Sequence, residues 1–209
     1  MSSRTIDGST NAAGAKSPTY TILSSGSGTY TSPAGCTYII VEAVGGGGGG
    51  GRSNDLQSAG AGGAGGYFKM KMPAGSYPYS IAAFANGASS QNTNGTAGNN
   101  TTFGTQYAFG GAGGQASSGR KGGEGGGVNI GGSGYTILYA VGGDYGECGI
   151  DSTYLARGGS SFMYVNGIPS ISGVSSIPGN KGSGGAGSDA PTGPAGYGGG
   201  GYIVITEYY

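Results

Sequence analysis

An all-β domain is predicted, a short-stranded sandwich-like fold with packed polyglycine tracts in the polyproline II (PPII) conformation and long polar loops. Three observations predict it. Short β-prone runs alternate with turn clusters and no three-turn amphipathic helix appears. Glycine (54) and proline (8) make up about 30% of 209 residues, yet only 9% are charged, the formal net charge is zero, and there are 16 Tyr and 5 Phe. Disordered chains are usually charged and poor in aromatics, so composition points to a collapsed chain rich in backbone. Thirdly, the glycines cluster in tracts instead of falling at every third place, which excludes collagen.

Residues 1–18 read as an irregular arm and 19–209 as one glycine-rich β domain. Residues 20–23 and 29–31 are short β-prone pieces. After Pro33, Ala34 and Gly35, residues 37–44 (TYIIVEAV) form the strongest strand of the first half. Ile39, Val41 and Ala43 share one face, and Tyr38, Ile40, Glu42 and Val44 the other; both faces read as largely covered. Seven glycines follow at 45–51, then the polar loop 52–58 and the Gly/Ala tract 60–66. Residues 67–72 (YFKMKM) alternate as a half-buried strand, with Phe68, Met70 and Met72 inward. A second Pro-Ala-Gly turn leads to an expected strand at 77–85.

Residues 88–102 read as a long loop and 103–109 as a short aromatic piece. Further tracts occupy 110–114, 122–127 and 131–134. Residues 135–141 (YTILYAV) are strand-like, 142–157 an irregular excursion, and 160–165 a brief strand. A turn-rich segment at 166–181 precedes tracts 182–187 and 196–201, and 202–206 (YIVIT) closes the domain.

A bare glycine tract has one ordered option that suits packing. In the extended left-handed helix with three residues per turn the amides point outward and must be paired by neighbouring chains. Ordering a residue costs roughly 1–2 kcal/mol and glycine lies at the costly end, so one tract alone stays mobile. Several side by side compensate through backbone hydrogen bonds of about 1 kcal/mol each. The expected glycine core is Gly45, Gly48, Gly51, Gly63, Gly66, Gly111, Gly114, Gly185 and Gly199.

The chain contains no histidine, which removes His-dependent triads and the commonest metal ligand. Gly60, Gly62 and Gly65 satisfy G-x-G-x-x-G, as do Gly182, Gly184 and Gly187, but the first set precedes a strand instead of a helix. Asp144, Glu147 and Asp151 read as a solvated acidic loop before a calcium site. Cys36 and Cys148 read as two free, partly buried thiols. No catalytic residue, cofactor or metal is expected. Lys and Arg are too scattered for nucleic acid, and no stretch has the roughly 20 apolar residues of a membrane span. A soluble, cytoplasmically synthesised protein is the expectation.

The succession of an apolar strand running into polyglycine (33–51), a Gly/Ala tract before Tyr67, Asn/Gly-rich loops and a closing GGGGYIVI (198–205) resembles the glycine-rich domain of phage tail-fibre tip adhesins and of large-virus virion proteins. That resemblance implies a non-enzymatic virion component, in an oligomer or larger assembly. Its arm would dock other virion proteins, and its inter-tract loops would contact a host-surface glycan or outer-membrane protein. The matching segments are 52–58, 88–102, 115–121, 142–157 and 188–195. Within them the receptor-contact candidates are Asn92, Asn94, Asn99, Asn100, Tyr145, Tyr154 and Arg157. A minor capsid or cement protein without receptor role and an extracellular glycine-rich matrix protein are the alternatives.

Overall fold

The computed structural model describes residues 16–54, 57–116, 120–149, 156–162, 179–189 and 193–209. The described residues contain ten strands and no helix, hence none able to cross a membrane. The strands are β1 (Thr19–Leu23), β2 (Ser27–Thr31), β3 (Tyr38–Val44), β4 (Tyr67–Pro73), β5 (Ser76–Ser80), β6 (Thr101–Phe103), β7 (Gln106–Ala108), β8 (Val128–Asn129), β9 (Thr136–Val141) and β10 (Tyr202–Tyr208). They form two antiparallel five-stranded sheets, β1-β10-β3-β4-β9 and β2-β5-β6-β7-β8.

Alternation in the sequence decides which side chains enter the core. Ile39, Val41 and Ala43 of β3, Phe68, Met70 and Met72 of β4, and Ile203 and Ile205 of β10 face the second sheet, where Tyr30, Ile81, Phe103 and Ala108 meet them. Tyr30 and Tyr77 pack on Phe103, with ring centroids 5.8 and 5.2 Å apart. On the outer face of β3 the side chains of Tyr38, Ile40 and Glu42 are only half-buried, so the expected double coverage holds for one face. Glu42 pairs with Lys69 across the β3–β4 register at 2.9 Å. It also accepts the Tyr67 hydroxyl, which burial and this carboxylate hold well above the usual phenol range. Tyr67 is buried although its face is the outer one, because Phe162 stacks on it at 4.6 Å.

One acid enters the core face. Glu207 is 2% exposed and accepts hydrogen bonds from the Thr19, Thr21 and Tyr30 hydroxyls. Burial pushes its pKa up, but these three donors and the nearby Lys16 outweigh it and hold the carboxyl below its ordinary value.

Beyond the sheets the strands run on as extended rods. Successive N–H groups of residues 45–52 donate to three different neighbours in rotation. Gly45, Gly48 and Gly51 donate to Gly66, Gly63 and Gly60; Gly46, Gly49 and Arg52 to Asn99, Thr96 and Thr93; Gly47 and Gly50 to Gly199 and Gly196. A three-residue period with no positive φ in 45–51 or 60–66 is the left-handed PPII helix. Carbonyls of the same rod accept from Gly111 and Gly114, from Gly185 and Ser188, and from Ala88, so six segments surround it. The rod at 60–66 is enclosed likewise. Gly60, Gly63 and Gly66 donate to Gln115, Ala112 and Phe109, while Ala61 and Ala64 accept from Gly123 and Gly126.

This hexagonal packing requires backbones closer than a side chain permits. A Cβ built on Gly48 would stand nearer the Ala112 carbonyl oxygen than real Cβ atoms come, with backbone on every side. Gly45, Gly48, Gly51, Gly63, Gly66, Gly111, Gly114, Gly185 and Gly199 are all buried and backbone-paired.

Several segments differ from the sequence expectation. The expected strand at 77–85 ends at Ser80, and 82–88 is a rod whose Ala82, Ala85 and Ala88 face inward while Ala83 and Phe84 face out. Residues 103–108 belong to a β6–β7 hairpin turning at Gly104 (φ 59°), Phe109 starts the next rod, and β8 went unforeseen. The expected loop at 88–102 contains a rod at 93–99. The expected excursion at 142–157 contains another at 142–149, where Gly143, Gly146 and Gly149 donate to Gly126, Gly123 and Arg120. Glycine therefore does fall at every third place, in rods on the bundle surface, because only one face of such a rod meets a neighbour. Of the expected strand at 160–165, residues 160–162 form no strand, and the remainder, with Tyr164, lies outside the described residues. So do residues 1–15 of the arm. Cys36 and Cys148 are both free, and Cys148 is exposed instead of partly buried, since it occupies an outward position of the 142–149 rod.

Candidate functional site at the tip of the glycine bundle

Rods 45–51, 82–88, 110–114 and 142–149 follow strands, and rods 60–66, 93–99, 122–127 and 196–201 lead into them, so these rods point away from the sandwich. Gly45 pairs with Gly66 beside β3 and β4, whereas Gly51 pairs with Gly60 at the far end. At 3.1 Å per residue a seven-residue rod carries its terminus about 20 Å from the sheets. There the chain must turn back, so the described residues 52–54 and 57–59, 88–93, 115–116 and 120–121, 149 and 156, and 188–189 and 193–195 gather at one end.

Side chains and backbone clip the tip together. Arg52 exchanges backbone hydrogen bonds with Thr93 at 3.0 and 3.2 Å, and its guanidinium donates to the Ser89 carbonyl at 2.5 Å. Ser53 N–H donates to Ser188 O at 3.1 Å, and the Arg120 guanidinium donates to the Gln57 side-chain oxygen. Ala116 N–H is capped by Asn94 Oδ1 at 2.9 Å. The buried Ser58 hydroxyl accepts from Ala156 N–H at 3.2 Å. Amides and hydroxyls result, together with the charged groups Arg52, Arg120, Lys121, Arg157 and Glu147. Such a surface offers both donors and acceptors to a polar ligand.

The structure divides the expected contact residues. Asn92, exposed with φ 55°, and Asn94 lie at the tip. Asn94 is a clip as well as a surface group. Arg157 is exposed close by, its N–H bonded to Glu147 Oε2 at 3.0 Å. Tyr145, 70% exposed, stands on the flank. Asn99 and Asn100 are at the opposite end, beside β6: the Asn99 carbonyl accepts Gly46 N–H at 3.0 Å and Asn100 Oδ1 accepts Gly110 N–H at 3.1 Å. Tyr154 and Asp151 lie outside the described residues. Arg52, Gln57, Ser89 and Arg120 were not among the expected contacts. Their signal is positional, since they sit where a tract ends or a turn begins. Among the described residues no cluster of three or more metal-ligating side chains occurs.

A sandwich whose strands continue as a hexagonal lattice of PPII rods defines the class: a glycine-rich domain built on backbone contacts. The chain belongs to the glycine-rich domain family, whose profile matches residues 23–208. No curated protein matches the chain.

Proposed function

We propose that this protein is a non-enzymatic structural component of a virion, a tail-fibre or surface protein that presents the bundle tip to a host surface. The observation that carries this reading is the convergence, at the end of the rods farthest from the sandwich, of the described residues at five connections between rods. The rods hold those turns in register through backbone bonds, so outward side chains there vary without cost to the scaffold. Amide, hydroxyl and arginine groups at the tip supply the donors and acceptors that a glycan's hydroxyls use. The resemblance to tip adhesins supports the same reading, and the missing histidine supports a non-enzymatic role.

The test pairs localisation with adsorption. The chain is expected in purified particles, and Gln91→Ala with Asn92→Gly and Lys121→Ala, all at exposed positions, should lower adsorption at least about tenfold with incorporation unchanged. Undiminished adsorption would remove the receptor role.

A second reading, a cement protein without receptor contact, draws on a different surface. Tyr20 and Ile22 of β1, and Ile137, Leu138 and Tyr139 of β9, are 44–70% exposed on the two edge strands of one sheet. Exposed apolar edges serve assembly. Charged substitutions at Ile22 and Leu138 that release the protein from particles, with tip variants silent, would favour it.

A further inference from the structure

On the flank of the bundle, near the sheets, rods 82–88 and 195–201 lie side by side, joined by Ala85 N–H to Gly198 O at 3.3 Å and Gly198 N–H to Ala85 O at 2.9 Å. Next to this seam is a groove of roughly 910 Å³, lined mainly by apolar atoms and bounded by the turns at 24–26 and 179–181. Phe84 and Tyr197, outward residues of the two rods, are 64% and 47% exposed and meet edge-to-face with centroids 5.7 Å apart.

Within the bundle the N–H groups of the two central rods donate to neighbouring segments. Among the residues that line the groove, the N–H groups of Ala83, Phe84, Tyr197 and Gly200 have no acceptor in the described protein. The rod lattice stops there with donors left over. A further extended chain laid along the seam would continue the established rod-to-rod interface.

We propose that this groove binds a proline-rich peptide in the PPII conformation, supplied by another protein. PPII has the same three-residue turn as the rods, and proline pre-orders it, so little entropy is lost on docking. Proline brings carbonyl acceptors for spare donors such as Tyr197 and Gly200, three residues apart on one rod and so on one face, and no N–H that itself needs a partner. Its rings fill the apolar space against Phe84 and Tyr197, as aromatic-lined grooves accept such peptides elsewhere. A polyglycine segment would supply no rings. A second copy of this chain is not the supplier, because its eight prolines include no two in succession. The site lies away from the tip and stands or falls independently of host attachment.

The experiment is an amide chemical-shift titration of the full chain with an all-proline peptide of about ten residues, alongside a Gly-Ser peptide of equal length and a linear oligosaccharide. Saturable shifts are expected for Ala83, Phe84, Tyr197 and Gly200 with the proline peptide alone. Phe84→Ser combined with Tyr197→Ser should weaken binding at least about tenfold. Shift mapping on the unaltered protein keeps the test decisive should the double variant unfold. Absence of saturable shifts up to about 1 mM peptide, shifts located elsewhere, or an equal response to the Gly-Ser peptide or the sugar would overturn the proposal.

Discussion

The sandwich and the glycine bundle are two solutions to one problem, burying a chain without leaving polar groups unpaired. In the sandwich the backbone is satisfied within each sheet, and cohesion comes from side chains such as Phe68, Met70 and Phe103, all fully buried. In the bundle side chains are nearly absent and the backbone is the core. Each enclosed residue gains about one hydrogen bond, a net 0.5–1.5 kcal/mol, against roughly 1–2 kcal/mol of ordering entropy. The bundle is thus close to neutral alone and depends on the strands that fix its rods. The two cores should therefore fail differently.

The largest effect is expected where a side chain enters the lattice. Gly48→Ala should destabilise by about 5 kcal/mol or abolish folding, measured by urea unfolding, although alanine is normally the mildest of replacements. A loss below about 1 kcal/mol would show that the rods yield. Next comes Phe68→Ala in the sandwich, expected to cost about 3–5 kcal/mol, with the hydrogen-exchange protection of Gly48 and Gly63 falling as well if the strands hold the bundle. Protection that survives there would separate the two regions.

Glu207→Gln should cost about 1–3 kcal/mol, because the amide presents one acceptor oxygen to three donors. The sign with pH follows from its lowered folded value: the carboxylate's contribution is present above the unfolded pKa and is lost as pH falls through the folded one. Wild-type stability should decline on acidification through that window, and the Gln variant less steeply. Smallest is Glu124→Ala, at an outward position, expected within about 0.5 kcal/mol. A large loss there would break the assignment of inward and outward faces.

Legibility in the sequence followed the number of neighbours. Residues 37–44 and 67–72 declared their faces because alternation is enforced wherever one face is buried. Residues 45–51 and 60–66 declared themselves because a rod enclosed on all sides admits almost only glycine and alanine. The surface rods were missed for the same physical reason run in reverse. In 142–149 Asp144, Tyr145, Glu147 and Cys148 are exposed while Gly146 is buried and Gly143 and Gly149 are partly covered, and in 93–99 only Gly95 and Gly98 are partly covered. One small residue in three leaves the others free to look like a loop. The tip was legible as five separate polar segments, but their convergence was not, because it arises from rod pairing between residues distant in sequence. Asn99 and Asn100 read as loop residues although their positions near β6 make them fasteners at the base.

The rods have a mechanical consequence. A PPII chain rises 3.1 Å per residue, and a polypeptide pulled straight reaches only about 3.3–3.6 Å, so a rod under tension has almost no slack to release. Force applied at residues 52–59 would pass straight into β3 and β4, and yielding would require many short backbone bonds to shear at once. A bundle made this way stays stiff at the small cross-section that glycine and alanine allow.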